Sequence, residues 1–184
     1  MNKKLILIIL VVVITGLYFY TKDNKIRTTP PLTPTPTVTQ TPGVLGVQTK
    51  TTDCKITGPL PDKDCTPGAI FDTVTKDQIC VPGYSQTVRN VPDSEKNTVY
   101  REYDILSHKT GEYEVDHFIS LELGGSNDIS NLWPEAANPT PGFHEKDKVE
   151  NYLHQQVCKG LMTLTEAQQE ISTDWLGVYQ QMGW

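Results

Sequence analysis

The sequence predicts an α+β domain, and three observations carry that prediction. Residues 113–123 alternate in a β-prone pattern and run into a Gly124-Gly125-Ser126-Asn127 turn. Two later stretches, from His144 to Cys158 and from Leu164 to Val178, repeat apolar residues at steps of three and four. Between Cys54 and Val91, prolines and glycines cut the chain into irregular or short extended pieces.

In chain order, Lys3 and Lys4 precede an uncharged run from Leu5 to Tyr20. At 1.5 Å per residue this run reaches roughly 24 Å, enough to cross a bilayer with its flanks. It closes on Leu17, Tyr18, Phe19 and Tyr20 with no small-residue cleavage pattern after them. That favours an uncleaved transmembrane signal-anchor over residues 1–21 above a cleaved signal peptide. Either reading exports the rest, as a membrane-anchored extracytoplasmic domain or, after cleavage, a secreted one. Residues 22–53 are rich in Thr and Pro and cannot build a core, so they read as a semi-rigid linker. The folded domain is expected over residues 54–184.

An exported chain with an even number of cysteines suggests disulfides. Cys54, Cys65, Cys80 and Cys158 allow three pairings. The preferred one joins Cys54 to Cys65, and Cys80 to Cys158. Residues 74–91 read as extended pieces around Pro82-Gly83, and residues 94–105 fit a short helix or a strand equally well. The alternation at 113–123 sets Tyr113, Val115, His117, Ile119 and Leu121 against Glu114, Asp116, Phe118, Ser120 and Glu122, with Phe118 on the polar side. The first C-terminal helix presents Val149, Tyr152, Leu153 and Val157 and stops near Gly160. The second opens on a Thr163/Glu166 capping box and runs Leu164, Ala167, Ile171, Trp175 and Val178 down one side.

Charge argues against a strong electrostatic nucleic-acid binder. Residues 51–184 hold 10 Lys and Arg against 21 Asp and Glu, a balance of −11. Tight phosphate binding normally shows as a basic patch.

The chemistry-bearing residues gather around Asp116 and His117. A neutral histidine takes a proton from water near pH 7, and a divalent cation neutralises charge on a phosphate. Such a cation needs hard ligands, so a carboxylate beside the base is useful. In a flat strand Asp116 and His117 point to opposite faces, which suits one to hold metal and the other water. Asn131 is placed to brace the loop or orient the histidine.

The stretch "YEVDHFISLELGGSNDISNLWPE" and the following "KDKVENYLHQQVCKGLMTLTEAQQEISTDWLGVY" resemble small exported bacterial proteins of the HNH endonuclease family. The resemblance covers most of residues 58–180. It implies a ββα-metal (His-Me finger) core and a metal-dependent cut of DNA or RNA with little sequence specificity. It also implies His117 as general base, Asp116 as metal ligand and Asn131 as the central asparagine, grouped with His117 in the catalytic set. The third motif position falls on His144 as second metal ligand, with Asn138 as the alternative. One divalent ion, Mg²⁺ or Mn²⁺, is implied. Arg89 and Lys146 are candidates to meet phosphate. The competing expectation is a non-catalytic surface-anchored binding module on the same scaffold, which suits the acidic balance.

Overall fold

The computed structural model describes residues 46–183. The expected signal-anchor and most of the linker lie outside the described residues. No helix among the described residues is long and apolar enough to cross a membrane. The last linker residues are tied to the domain: the Thr49 and Lys50 N–H groups donate to the Asp64 carbonyl, and Gln48 donates to Glu102.

The domain is α+β, as expected. Its elements are α1 (Lys76–Ile79), α2 (Tyr84–Val88), α3 (Asp93–Glu102), β1 (Tyr113–His117), β2 (Leu132–Ala136), α4 (Phe143–Cys158) and α5 (Leu164–Gln181). The strands β1 and β2 form one antiparallel pair, with Asp116 opposite Trp133, His117 opposite Leu132, and Glu114 opposite Glu135. Directly opposed residues share a face. Glu114, Asp116 and Glu135 therefore lie on one face and His117 on the other.

Two local expectations are corrected, and one alternative left open is settled. Residues 74–91 are not extended: they hold α1 and α2. A Thr75/Gln78 capping box starts α1, and Gly83, left-handed at φ 84°, starts α2. Residues 94–105 resolve mainly into α3. The strand at 113–123 stops at His117. Both backbone groups of Ile119 are taken by the Asn131 side chain rather than by a strand partner. Ser120 then caps a 3-10 turn over Leu121–Leu123. Phe118, out of phase in the alternation, is buried.

The two C-terminal helices match their patterns except at Tyr152, which is exposed at the edge of the packed face. The Thr163/Glu166 capping box is present, and Gly160 has φ 73°. Val149, Leu153 and Val157 of α4 pack with Ala167, Ile171, Trp175 and Val178 of α5, together with Ile79, Ile119 and Leu123. A second cluster gathers Cys54, Cys65, Val99, Tyr103, Phe118, Leu132 and Trp133. The structure contains both preferred disulfides, Cys54–Cys65 and Cys80–Cys158.

The two bridges close loops of different length, separated by 11 and 78 residues. In the chain-entropy view the longer loop contributes more, about 4 kcal/mol against about 3 kcal/mol. Urea unfolding is expected to show a larger loss for Cys80→Ser/Cys158→Ser than for Cys54→Ser/Cys65→Ser, by about 1 kcal/mol or more if both fold.

Candidate functional site

The site begins with a loop that returns on itself. Between β1 and β2 the chain must bring Asn131 back beside Ile119. Gly125 permits the approach: a Cβ there would fall 1.7 Å from the Ile119 carbonyl oxygen, so no side chain fits. Asn131 is fully buried. Its Oδ1 accepts from the Ile119 N–H at 2.9 Å and the Ala69 N–H at 3.3 Å. Its Nδ2 donates to the Ile119 carbonyl at 3.0 Å and the Ser126 carbonyl at 2.8 Å. These four bonds use the full capacity of the amide. Asn131 joins three segments and has no donor left to offer a substrate.

His117 ends β1 and is 1% exposed. Its Nε2 lies 3.2 Å from Asn127 Oδ1. Two backbone groups set the orientation of that amide: Asn127 Nδ2 donates to the Val88 carbonyl, and Asn127 Oδ1 accepts from the Asn90 N–H. With an oxygen facing it, Nε2 must carry the hydrogen. The lone pair of the neutral ring is thereby placed on Nδ1, which is buried and has no hydrogen-bond partner. Burial lowers the His117 pKa to about 4, helped by the positive charges of Arg89 and Lys146 and opposed by Asp116 and the Asn127 bond.

On the opposite face of the strand, Lys146 of α4 has no exposed side-chain area. Its Nζ donates to Asp116 Oδ2 at 2.6 Å, to the His117 carbonyl at 2.8 Å and to Glu150 Oε1. Glu135 Oε2 stands 3.6 Å away. The role expected for Lys146 on the surface is therefore corrected. All three ammonium hydrogens are committed inside the protein, and a phosphate cannot reach them in this conformation.

Burial alone would raise the Asp116 carboxyl, but the Lys146 ammonium, with help from His117, holds it below its ordinary range. Burial would likewise lower Lys146, yet the three carboxylates keep it well above its ordinary value. Glu135 goes the other way. Burial pushes it well above the carboxylate range, with Asp116 and Glu150 adding to the shift and Lys146 opposing it. Neither Glu135 oxygen receives a hydrogen bond when the group is ionised. Protonated, Glu135 can donate to Asp116, which satisfies an otherwise orphaned carboxyl. Glu150 is raised by burial to about 7, against the pull of Lys146.

Asp116 keeps 15% of its side chain exposed and faces a second acidic group. Glu114 is pushed up to about 7 by burial and by its neighbours Asp116 and Asp147. Asp147 is raised by burial and by Asp116, and lowered by His144. His144 is exposed in the first turn of α4, its ring 4.3 Å edge-on from Phe143. Asn138 is exposed on the loop before α4. Arg89 is exposed, and its charge is felt at both His117 and Glu114.

Among the described residues, the group of three metal-capable side chains that comes together is Cys80, His154 and Cys158, with its ligand atoms within 4.8 Å of one another. It does not include Asp116 or His144. His154 is half-buried, and its Nε2 lies 3.0 Å from the Ile79 carbonyl oxygen.

Sequence reasoning passed over Asn127, Asp147 and Glu150 as site residues. One signal was present for Glu150, which stands four residues after Lys146 on a helix. Asn127 read as turn chemistry, because its contact with Val88 spans 39 residues.

No protein-family model, curated protein or solved structure matches this chain. The class established is an α+β domain with a two-stranded sheet and two disulfides.

Two outcomes are expected. The His117 imidazole should titrate near pH 4 by NMR rather than at its ordinary 6.5, with the hydrogen on Nε2 above that midpoint. Lys146→Met should cost about 3–5 kcal/mol by urea unfolding at neutral pH, because it strands buried carboxylates. A carboxyl raised from 4.5 to about 7, as at Glu150, binds its proton more tightly folded than unfolded. Its contribution to stability is lost as pH rises across that window. Without Lys146 these groups rise further, so the variant's penalty should grow as pH rises from about 5 to 8.

Proposed function

We propose that the domain is an extracytoplasmic HNH-type nuclease with a ββα-metal core, hydrolysing phosphodiester bonds in DNA or RNA with little sequence specificity. The observation that carries this reading is the unpartnered Nδ1 of His117, whose lone pair is set by the hydrogen bond from Nε2 to Asn127. A general base needs an available lone pair and a fixed tautomer, and His117 has both. The hairpin of β1 and β2 followed by α4 is the element order a ββα core requires.

In this reading His117 Nδ1 takes the proton of the attacking water as the water oxygen bonds to phosphorus and the ester oxygen leaves. Burial makes the ring a weak base in the free protein. A bound phosphodiester anion beside it favours the protonated imidazole and strengthens the base during attack. Because the ring is covered, substrate entry requires the side chains over it to shift. Arg89, exposed and electrostatically close to His117, is the group assigned to meet the phosphate. Lys146 acts from inside, holding the Asp116 carboxylate and the His117 carbonyl at one point. Asn131 keeps the loop closed.

The Asp116 face offers hard oxygen donors of the type Mg²⁺ or Mn²⁺ takes, and because they are not gathered within 4.8 Å of one another, binding would draw them together. Burial, and after it the neighbouring Asp116 charge, raises both Glu114 and Asp147 there. Asp116 would hold the ion with His144 or Asp147, and the ion would supply neutralising charge to the phosphate. A bound cation also offsets the −11 balance locally, so substrate binding is expected to be weak and salt-sensitive.

The test is plasmid cleavage by the full chain in mild detergent with Mg²⁺ or Mn²⁺, compared with EDTA. His117→Ala is expected to lose about 10²–10⁴-fold in rate. Asn127→Ala, which frees the tautomer, should lose about 10–100-fold. Equal plasmid survival with wild type and His117→Ala would sink the nuclease reading and leave a binding module on this scaffold.

A further inference from the structure

Away from the hairpin, the C-terminal end of α4 meets the end of α1. Cys80 follows the last residue of α1, and Cys158 is the last residue of α4. They are joined as a disulfide with their Cα atoms 5.6 Å apart. His154 precedes Cys158 by four residues, which puts the two on one face of the helix. Its Nε2 lies 3.4 Å from Cys158 Sγ and 3.0 Å from the carbonyl oxygen of Ile79, the residue before Cys80. The ligand atoms of all three side chains fall within 4.8 Å, and each residue is half-buried and within reach of solvent.

We propose that reduction of the Cys80–Cys158 disulfide converts this cross-link into a site for a zinc-class divalent cation, held by Cys80, His154 and Cys158. Every newly made chain passes through the reduced state, so the site exists before oxidation closes it.

The chemistry balances. A dithiol or phosphine reductant supplies two electrons and is itself oxidised, and the sulfurs take up two protons as thiols. Zn²⁺ then displaces those two protons and binds two thiolates, which cancel its charge. His154 contributes the Nε2 lone pair. Its ring proton moves to Nδ1, and the hydrogen bond to Ile79 is given up. Tetrahedral zinc holds sulfur at about 2.3 Å and nitrogen at about 2.0 Å, leaving ligands roughly 3.5–3.8 Å apart. Side-chain rotation reaches that spacing from Cα atoms 5.6 Å apart. A fourth position is left for water.

Two features favour a cation over free thiolates here. The C-terminus of α4 carries the negative end of the helix dipole, which stabilises positive charge and disfavours a bare thiolate. The Ile79 carbonyl adds a second negative dipole at the same point. The outcome is a metal clip between α1 and α4 that keeps these helices together and shields the two thiols until the disulfide forms.

The experiment uses the full chain in mild detergent, oxidised or reduced with a phosphine, titrated with Zn²⁺. The reduced chain should bind about one Zn²⁺ more than the oxidised chain, any zinc taken by the Asp116 face being common to both. Alkylation mapped by mass spectrometry should show Zn²⁺ slowing modification of Cys80 and Cys158 at least about tenfold, with Cys54 and Cys65 unaffected. His154→Gln keeps a hydrogen-bond donor for Ile79 and removes the imidazole, so it should weaken zinc at least about tenfold. Equal zinc in the oxidised chain, equal protection of all four cysteines, no binding on reduction, or unchanged affinity in His154→Gln would each overturn the assignment.

Discussion

The Lys146 ammonium is the interaction on which the hairpin and its helix depend. It is fully buried and bonded at once to Asp116, Glu150 and the His117 carbonyl. Removing a lysine charge from water is costly unless partners replace every lost hydrogen bond. Here they do, and the arrangement joins α4 to the end of β1 at a single nitrogen. Three carboxylates around one ammonium would leave surplus negative charge if all were ionised. Burial raises Glu135 well above its ordinary range and favours the protonated form, which can hydrogen bond with Asp116. That proton lowers the surplus from two negative charges to one, and Glu150, raised to about 7, lowers it further near neutral pH.

The same region separates structural duties from the chemistry proposed for it. Asn131 spends all four of its hydrogen-bonding positions on backbone groups, so the loop from Phe118 to Asn131 closes without a regular strand. Asn127 spends its amide differently. Two backbone contacts orient it, and its oxygen then dictates which ring nitrogen of His117 carries the hydrogen. One asparagine holds the shape, and the other sets the protonation of the histidine.

A two-stranded sheet is not stable alone. The hairpin is supported by two apolar clusters, one built by α4 and α5 and the other by α3 with the Cys54–Cys65 bridge. The Cys80–Cys158 bridge adds a covalent tie from α1 to the far end of α4. Asp116 and His117 thus sit between elements fixed on several sides, which restricts how far either can move.

The α+β class, both C-terminal helices and the Thr163/Glu166 cap were legible because each is encoded locally, in apolar spacing or cap residues, whereas the cysteine pairing, which spans 78 residues at Cys80–Cys158, was a preference among three that the fold decided. Trp175 was readable as core from its place in the α5 stripe. The loop after His117 was not, because Ile119 and Leu121 continue an alternating pattern while a side chain twelve residues away takes the backbone bonds. Lys146 read as a surface cation, since a lysine in a polar stretch of helix carries no mark of burial. Only when α4 packs on the hairpin do Asp116, Glu135 and Glu150 surround it. The sequence by itself determined which residue types were available for the chemistry and which faces of the helices were apolar. The tertiary structure alone decided which charges are buried, which carboxyl keeps its proton and which nitrogen of His117 is free. Those properties depend on desolvation and on contacts between residues far apart in the chain.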